Sequence, residues 1–326
     1  MYKQIRTVHL FTALAFVLLL SACNISNETA STESVAKAES GLQANNEVTE
    51  QQAGYPRTVK HEDGVITLDS RPEKIISIDE DIIDILSLLG HSPLGSEGLD
   101  EVADSALFAP YIEGKDIINM GNRMNLETLL DMDVDLLIFT SDKVRELDSL
   151  KDIAPYAVVA GGADYRTRIR QLGELLGEEQ QAEAIIEDYD QQVETVKAEM
   201  PSDFEETVLV LRANGKDFTA LSTEEFGLLF NELGFKPVKG MEAGGQLTIE
   251  GISAANPDHI IIAESIRESD PKKPNGLINM WEENPVWKSL SAVKNGNVHT
   301  VDKLLIEPVF SAQFEILKLA KEIIGG

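Results

Sequence analysis

Cysteine, histidine and positive charge are all scarce in this chain, and each shortage removes a class of function. A single Cys in 326 residues permits no internal disulfide. Direct capture of manganese or zinc needs several imidazoles and carboxylates that converge. The five His are instead scattered: His9 in the N-terminal apolar run, His61 near the start of the folded part, His91 after a helix stop, and His259 and His299 beside strands. Ordinary packing or surface roles are expected for each, and no metal ligand is assigned. Acidic residues outnumber Lys and Arg 56 to 28, a formal net charge of -28, which argues against a nucleic-acid partner. No Gly-x-Ser-x-Gly elbow and no phosphate-cradling Gly-rich loop after a strand occurs. The chain is therefore not expected to be an enzyme; no catalytic residue and no cofactor are assigned.

What is present begins at the N-terminus. Lys3 and Arg6 precede an apolar run from Leu10 to Leu20, then Leu20-Ser21-Ala22-Cys23. This is the layout of a secretory signal peptide, and the run is shorter than the roughly 20 residues of a spanning helix. Leu-Ser-Ala-Cys resembles the lipobox of bacterial lipoproteins, which implies lipidation at Cys23. Several acyl chains make a durable anchor where one does not. From Asn24 to about Gly54 the sequence is Ser, Thr, Asn, Gln, Glu and Ala with almost nothing to bury, as in a flexible tether. The remainder is long enough for two domains.

The folded part reads as one unit written twice. Lys74-Ile75-Ile76-Ser77-Ile78 forms a short apolar strand, followed by Ile82, Ile83, Ile85, Leu86 and Leu89 at helical spacing and then Gly90. Val208-Leu209-Val210-Leu211 repeats the strand, followed by Phe226, Leu229, Phe230, Leu233 and Gly234. Asn125-Leu126-Glu127 precedes Asp135-Leu136-Leu137-Ile138-Phe139 at the spacing by which Thr248-Ile249-Glu250 precedes Asp258-His259-Ile260-Ile261-Ile262. Continuous apolar strands alternating with helices predict parallel sheets covered on both faces. Between the copies, Ala182, Ile185, Ile186, Tyr189, Val193 and Val196 stripe a helix from Glu178 to Met200, ended by Pro201. A separate helix from Arg168 to Leu176 stops at Gly177.

Further stretches are Arg71-Pro72-Glu73-Lys74-Ile75-Ile76, Ile153-Ala154-Pro155, and Asn284-Pro285-Val286-Trp287-Lys288-Ser289-Leu290 leading into Val298-His299-Thr300-Val301-Asp302. In this order they resemble the siderophore-binding branch of the periplasmic binding proteins, related to ferric citrate, hydroxamate and vitamin B12 binders. The resemblance implies an α/β fold of two Rossmann-like lobes joined by one long backbone helix. Its boundaries are a signal peptide at 1–22, a lipidated tether at 23–57, an N-terminal lobe at 58–177, the connecting helix at 178–200 and a C-terminal lobe at 201–326. It implies a monomer at the extracytoplasmic face of the membrane that takes up an iron(III)-siderophore and hands it to the permease dimer of an ABC importer. Iron then arrives already chelated. Relatives often carry Trp or Tyr shortly after the final Val-Asp, where this chain has Lys303-Leu304-Leu305-Ile306-Glu307.

Open parallel sheets bind ligands beyond the C-terminal ends of their strands. The loops so placed hold Asp79 to Asp81, then Asn122, Arg123 and Met124, then Thr140 and Ser141. Asp164, Tyr165 and Arg166 follow, and the second copy supplies Arg212, Asn214, Ser265 and Arg267. Arg123, Arg212, Arg166 and Arg267, with Tyr165, Asn122, Asn214 and Ser141, are the expected ligand contacts. A planar guanidinium suits carboxylates and chelating oxygens, so carboxylate or citrate-hydroxamate chelates are favoured. Trp281 and Trp287 are read as core. Glu127 and Glu250, one in each copy, match the family's permease-docking positions, although an acid in a first helical turn is also stabilised by the dipole. The alternatives are a haem or cobalamin binder on the same fold and a lipoprotein enzyme or adhesin.

Overall fold

The apolar runs that recur in the sequence become the central strands of two sheets. The structure, a computed structural model, describes residues 54–123, 125–144, 147–162, 164–214, 217–264, 281 and 283–325, with the backbone alone at 147, 214 and 264. A hairpin comes first, β1 (Arg57–His61) antiparallel to β2 (Gly64–Leu68). It leans on the first sheet through the Glu62 N–H, which donates to the Val158 carbonyl at 2.9 Å.

That sheet has five parallel strands, β3 (Ile75–Ser77), β4 (Gly95–Ser96), β5 (Ile118–Asn119), β6 (Leu136–Thr140) and β7 (Tyr156–Val159), in the order β5-β4-β3-β6-β7. Every residue of β6 is buried, as a strand covered on both faces requires. Its helices are α1 (Ile83–Leu88), α2 (Leu99–Val102), α3 (Ala109–Ile112), α4 (Leu126–Asp131), α5 (Leu147–Leu150) and α6 (Tyr165–Leu176). α7 (Glu179–Glu199) buries Ala182, Ile186, Tyr189, Val193 and Val196. At 1.5 Å per residue its 21 residues run about 31 Å. Gly177, at φ 78°, separates it from α6.

The second sheet contains β8 (Thr207–Asn214), β9 (Asp217–Ala220), β10 (Lys236–Pro237), β11 (Gly245–Leu247), β12 (His259–Glu264) and β13 (Val298–Asp302). Its order is β11-β9-β8-β12-β13, with β10 beside the start of β8. It is not wholly parallel: β9 runs against β8 and β11 against β9. β9 begins three positions after β8 ends, too soon for the crossover that a parallel pair requires. The described α-helices here are α8 (Ile249–Ala255), α9 (Pro285–Ser289), α10 (Ser291–Asn295) and α11 (Phe310–Gly325).

The duplicated segments are built alike. Gly90 and Gly234 end their helical turns at φ 83° and 84°, a conformation open to glycine without penalty. The Asp135 carboxylate accepts from the backbone N–H groups of Glu73 and Lys74 at 2.9 and 2.8 Å, pinning the start of β3. The Asp258 carboxylate accepts from the Thr207 N–H and hydroxyl, both at 2.8 Å, pinning the start of β8.

α11 does not stay with the second sheet alone. Its Ser311 N–H donates to the buried Asp84 carboxylate at 2.6 Å, and Gln313 donates to the Tyr165 hydroxyl at 3.0 Å. Phe310 packs edge-on against Tyr189 of α7 at 5.4 Å between centroids. One apolar core therefore runs from the first sheet through α7 and α11 into the second.

Candidate functional site

The two lobes come together at the end of β13. There Lys303 Nζ lies 3.2 Å from Glu101 Oε2, and Asp302 accepts from the Ser105 hydroxyl at 3.3 Å. Glu101 lies in α2 and Ser105 just after it, in the segment that follows β4, so the end of β13 meets that segment across the lobes. Leu304 and Val309 seal it from behind, buried against Ile83, Val102 and Phe108.

On the first lobe these ends are acidic. Asp79, buried beyond β3, takes a hydrogen bond from the Thr140 hydroxyl at the end of β6 and caps the following turn by accepting from the Asp81 N–H at 3.1 Å. Glu80 and Asp81 complete a set whose carboxylate oxygens lie within 4.8 Å of one another. Gly98 leaves room for Glu80, since a Cβ there would run into its carboxylate. Burial first, then the charge of Asp79, raises the pKa of Glu80. Burial and the neighbouring Asp79 and Glu80 hold Asp81 well above the usual carboxylate range. Burial alone would lower the pKa of Lys143, but Asp79, Glu80, Asp81 and Glu97 outweigh it and raise it. These three acids are the described residues best placed to hold a cation. Two of the Asp79 oxygens' hydrogen-bonding directions are, however, already used within the protein.

The second lobe carries an ion pair near a strand end. Arg212, near the end of β8, meets Glu307 at 3.0 Å. Burial raises the pKa of Glu307, with Arg212 and Lys303 opposing the rise.

The expected contacts divide. Arg123 and Asn122 are exposed in the loop after β5. Ser141 is exposed after β6, with its hydroxyl accepting from the Gly161 N–H at 2.9 Å. Tyr165 does not line the cleft: it is 6% exposed, packed on Phe310 and bonded to Gln313. It shares the inward face of α6 with Ile169 and Leu172, four and seven residues on. Arg166 is likewise spent elsewhere. Its guanidinium lies over the Tyr189 ring and binds Asp190 at 2.7 Å and both oxygens of Glu232, which ties α6 to α7 and to the second lobe. Arg267, Ser265, Met124 and Cys23, and the side chain of Asn214, lie outside the described residues. Glu127 and Glu250 are both exposed in first helical turns, after the N-caps Asn125 and Thr248. Trp281 and Trp287 pack against Phe218 in the second lobe's core.

Arg168 was missed. Only 1% exposed, it donates to the carbonyls of Ala160 at 2.7 Å, Gly162 at 2.6 Å and Pro308 at 3.1 Å. It thereby joins the end of β7 to the segment that enters α11. The signal was in its spacing, since Arg168 shares a helical face with Ile169, Leu172, Leu175 and Leu176.

Similar proteins agree with this architecture. The Fe(3+)-citrate-binding protein YfmC of Bacillus subtilis is 24% identical over 273 residues, covering 81% of this chain and 84% of its own. The iron(3+)-hydroxamate-binding protein FhuD of the same organism is 23% identical over 319 residues, covering 93% and 91%. The crystal structure of the triscatecholate siderophore binding protein FeuA, also from Bacillus subtilis, superposes with a TM-score of 0.69 at 23% identity over 82% of this chain and 98% of that one. A family model described as periplasmic binding protein matches residues 75–304, and the chain belongs to that family of binding proteins, not enzymes.

Proposed function

We propose that this protein binds an iron(III)-siderophore between its lobes and delivers it to the permease of an ABC importer, while tethered to the extracytoplasmic face of the membrane through a lipidated Cys23. The observation that carries this reading is the contact of the end of β13 with the segment following β4, Lys303 and Asp302 of one lobe reaching Glu101 and Ser105 of the other. Ligands bind at such ends in open α/β sheets, and the relatives named above bind ferric citrate and ferric hydroxamates.

The charge of the cleft supports a narrower choice of chelate. Of the four Arg that favoured a carboxylate, Arg166 is neutralised by Asp190 and Glu232, and Arg212 is paired with Glu307. Asp79, Glu80 and Asp81 stand on the other lobe. A polycarboxylate would meet these acids, so a hydroxamate or citrate-hydroxamate chelate of low net negative charge fits better than ferric citrate. Titrations with ferric citrate, with ferrichrome as a hydroxamate and with ferric enterobactin as a catecholate test this. Tightest binding of ferrichrome is expected, and tightest binding of ferric citrate would reverse the narrower choice.

Glu127 and Glu250 support delivery, one exposed carboxylate per lobe at matching places in the repeat. Replacing both with Ala should leave chelate affinity unchanged and abolish uptake. For the anchor, Cys23→Ala should release the protein from the membrane fraction; full retention would refute lipidation.

A further inference from the structure

The two docking helices are not equivalent in what surrounds the Glu. α4 and α8 start from polar N-caps, Asn125 and Thr248, and bury one inward residue at the same place, Leu129 at 1% and Ile252 at 0% exposure. Only α4 leaves large apolar side chains in solvent. Leu126 is 42% and Leu130 63% exposed, whereas Ile249, the counterpart of Leu126, is 7% exposed. The counterpart of Leu130 is Ser253. Leu126 and Leu130 stand four apart and form one ridge along the helix. Glu127 and Asp131 are exposed beside it, and Asp133, beyond the helix end, pairs with Lys74 at 3.2 Å. A lone exposed leucine needs no explanation, but a pair on one face beside a docking acid does.

We propose that the Leu126–Leu130 ridge, framed by Glu127 and Asp131, is an apolar docking surface for the membrane-embedded subunit of the importer, engaged by the first lobe only. This rests on the delivery reading given above. Charge complementarity selects the occupant. An apolar ridge set among carboxylates fits an apolar groove flanked by basic side chains. It does not fit anionic lipid headgroups, which repel carboxylates, nor a second copy of this chain, which would set the same acids against one another. Glu127 then sits beside the desolvated centre of the contact, where truncation costs most, and Glu250 sits at a solvated rim, where it costs little. The paired acids look symmetric in sequence and dock asymmetrically.

A photo-crosslinking residue placed at 130 or at 253 in the full-length protein, in cells of its source, tests this, with adducts identified by mass spectrometry. The importer's membrane subunit should be captured from 130 at a yield about fivefold or more above that from 253, as an apolar centre and a polar rim would give. With the crosslinker at 127, L126S/L130S should cut the same adduct several-fold; both leucines are in solvent, so folding is preserved, which circular dichroism checks. Equal yields from 130 and 253, an unchanged adduct in L126S/L130S, or adducts from 130 to lipid or to a second copy overturn the ridge and leave delivery standing. No importer adduct from 127, 130, 250 or 253 overturns delivery itself and the ridge with it.

Discussion

The two lobes share the chemistry that builds them and differ in the chemistry they present. In each, an aspartate pins the first strand, Asp135 on β3 and Asp258 on β8, and a left-handed glycine ends the first helical turn. At the strand ends the copies part: the first lobe crowds Asp79, Glu80 and Asp81 together, and the second offers an Arg212–Glu307 pair. On the outer face Leu126 is exposed where Ile249 is buried. The two copies keep the same backbone anchoring and differ in the side chains at their strand ends and on α4 and α8.

The largest expected effect probes where this correspondence fails altogether. Arg168 lies outside the duplicated segments, and it ties the start of α11 to the first lobe. Arg168→Ala leaves the carbonyls of Ala160, Gly162 and Pro308 without their buried donor. A loss of about 3–5 kcal/mol in urea unfolding is expected. A loss under about 1 kcal/mol would show that α11 is held without Arg168, by its apolar packing and its hydrogen bonds to Asp84 and Tyr165.

Next in size is a test of the shared anchor. Asp135→Ala and Asp258→Ala each remove two hydrogen bonds from a strand start, and each should cost roughly 2–3 kcal/mol by denaturant titration. Similar losses would confirm that the copies use the aspartate alike; a loss confined to one would break the equivalence.

Asp84 gives an effect of about the same size that depends on pH. Burial raises its pKa to about 6, against the hydrogen bonds from Ser311 and Ile85 that favour the carboxylate. The folded state therefore holds this proton more tightly than the unfolded chain. Its stabilising contribution is complete below about pH 4 and is lost as pH rises through about 6, an amplitude of roughly 3 kcal/mol. Tm measured from pH 4 to 7 should fall less steeply in Asp84→Asn than in the wild type. Identical slopes would remove Asp84 as the cause. The raised pKa values of Glu80 and Asp81 act in the same direction in both proteins.

Much of the fold was legible because its strands are continuous apolar runs and its helices end at glycines. The order β3, β6, β8, β12 and the stripe of α7 follow from hydrophobic spacing alone. The antiparallel β9 and β11 were not foreseen, because a buried apolar strand carries no mark of its direction. The site was less legible. Asp164, Tyr165 and Arg166 are consecutive at a helix start, so about 100° of rotation per residue sends them to different surroundings. Asp164 caps the helix, Tyr165 enters the core, and Arg166 turns to α7. The Asp79 to Asp81 loop was located by its place after a strand, but the crowding of its acids depends on β4 and β6, which sequence order does not bring near.

The smallest predicted change is the most selective. Leu126→Ser with Leu130→Ser should leave Tm within about 2 °C and chelate affinity unaltered, since exposed side chains contribute little to folding. A large fall in either would place the ridge in the fold and not at an interface.

The most direct test of the central claim is a titration of the purified protein with ferric citrate, ferrichrome and ferric enterobactin, followed by isothermal calorimetry. Saturable binding of one chelate per protein is predicted for at least one of the three, strongest for ferrichrome, with ferric citrate gaining affinity when Glu80 and Asp81 are replaced by their amides. No saturable binding to any of them, or ferric citrate binding indifferent to those two residues, would contradict the account of the cleft.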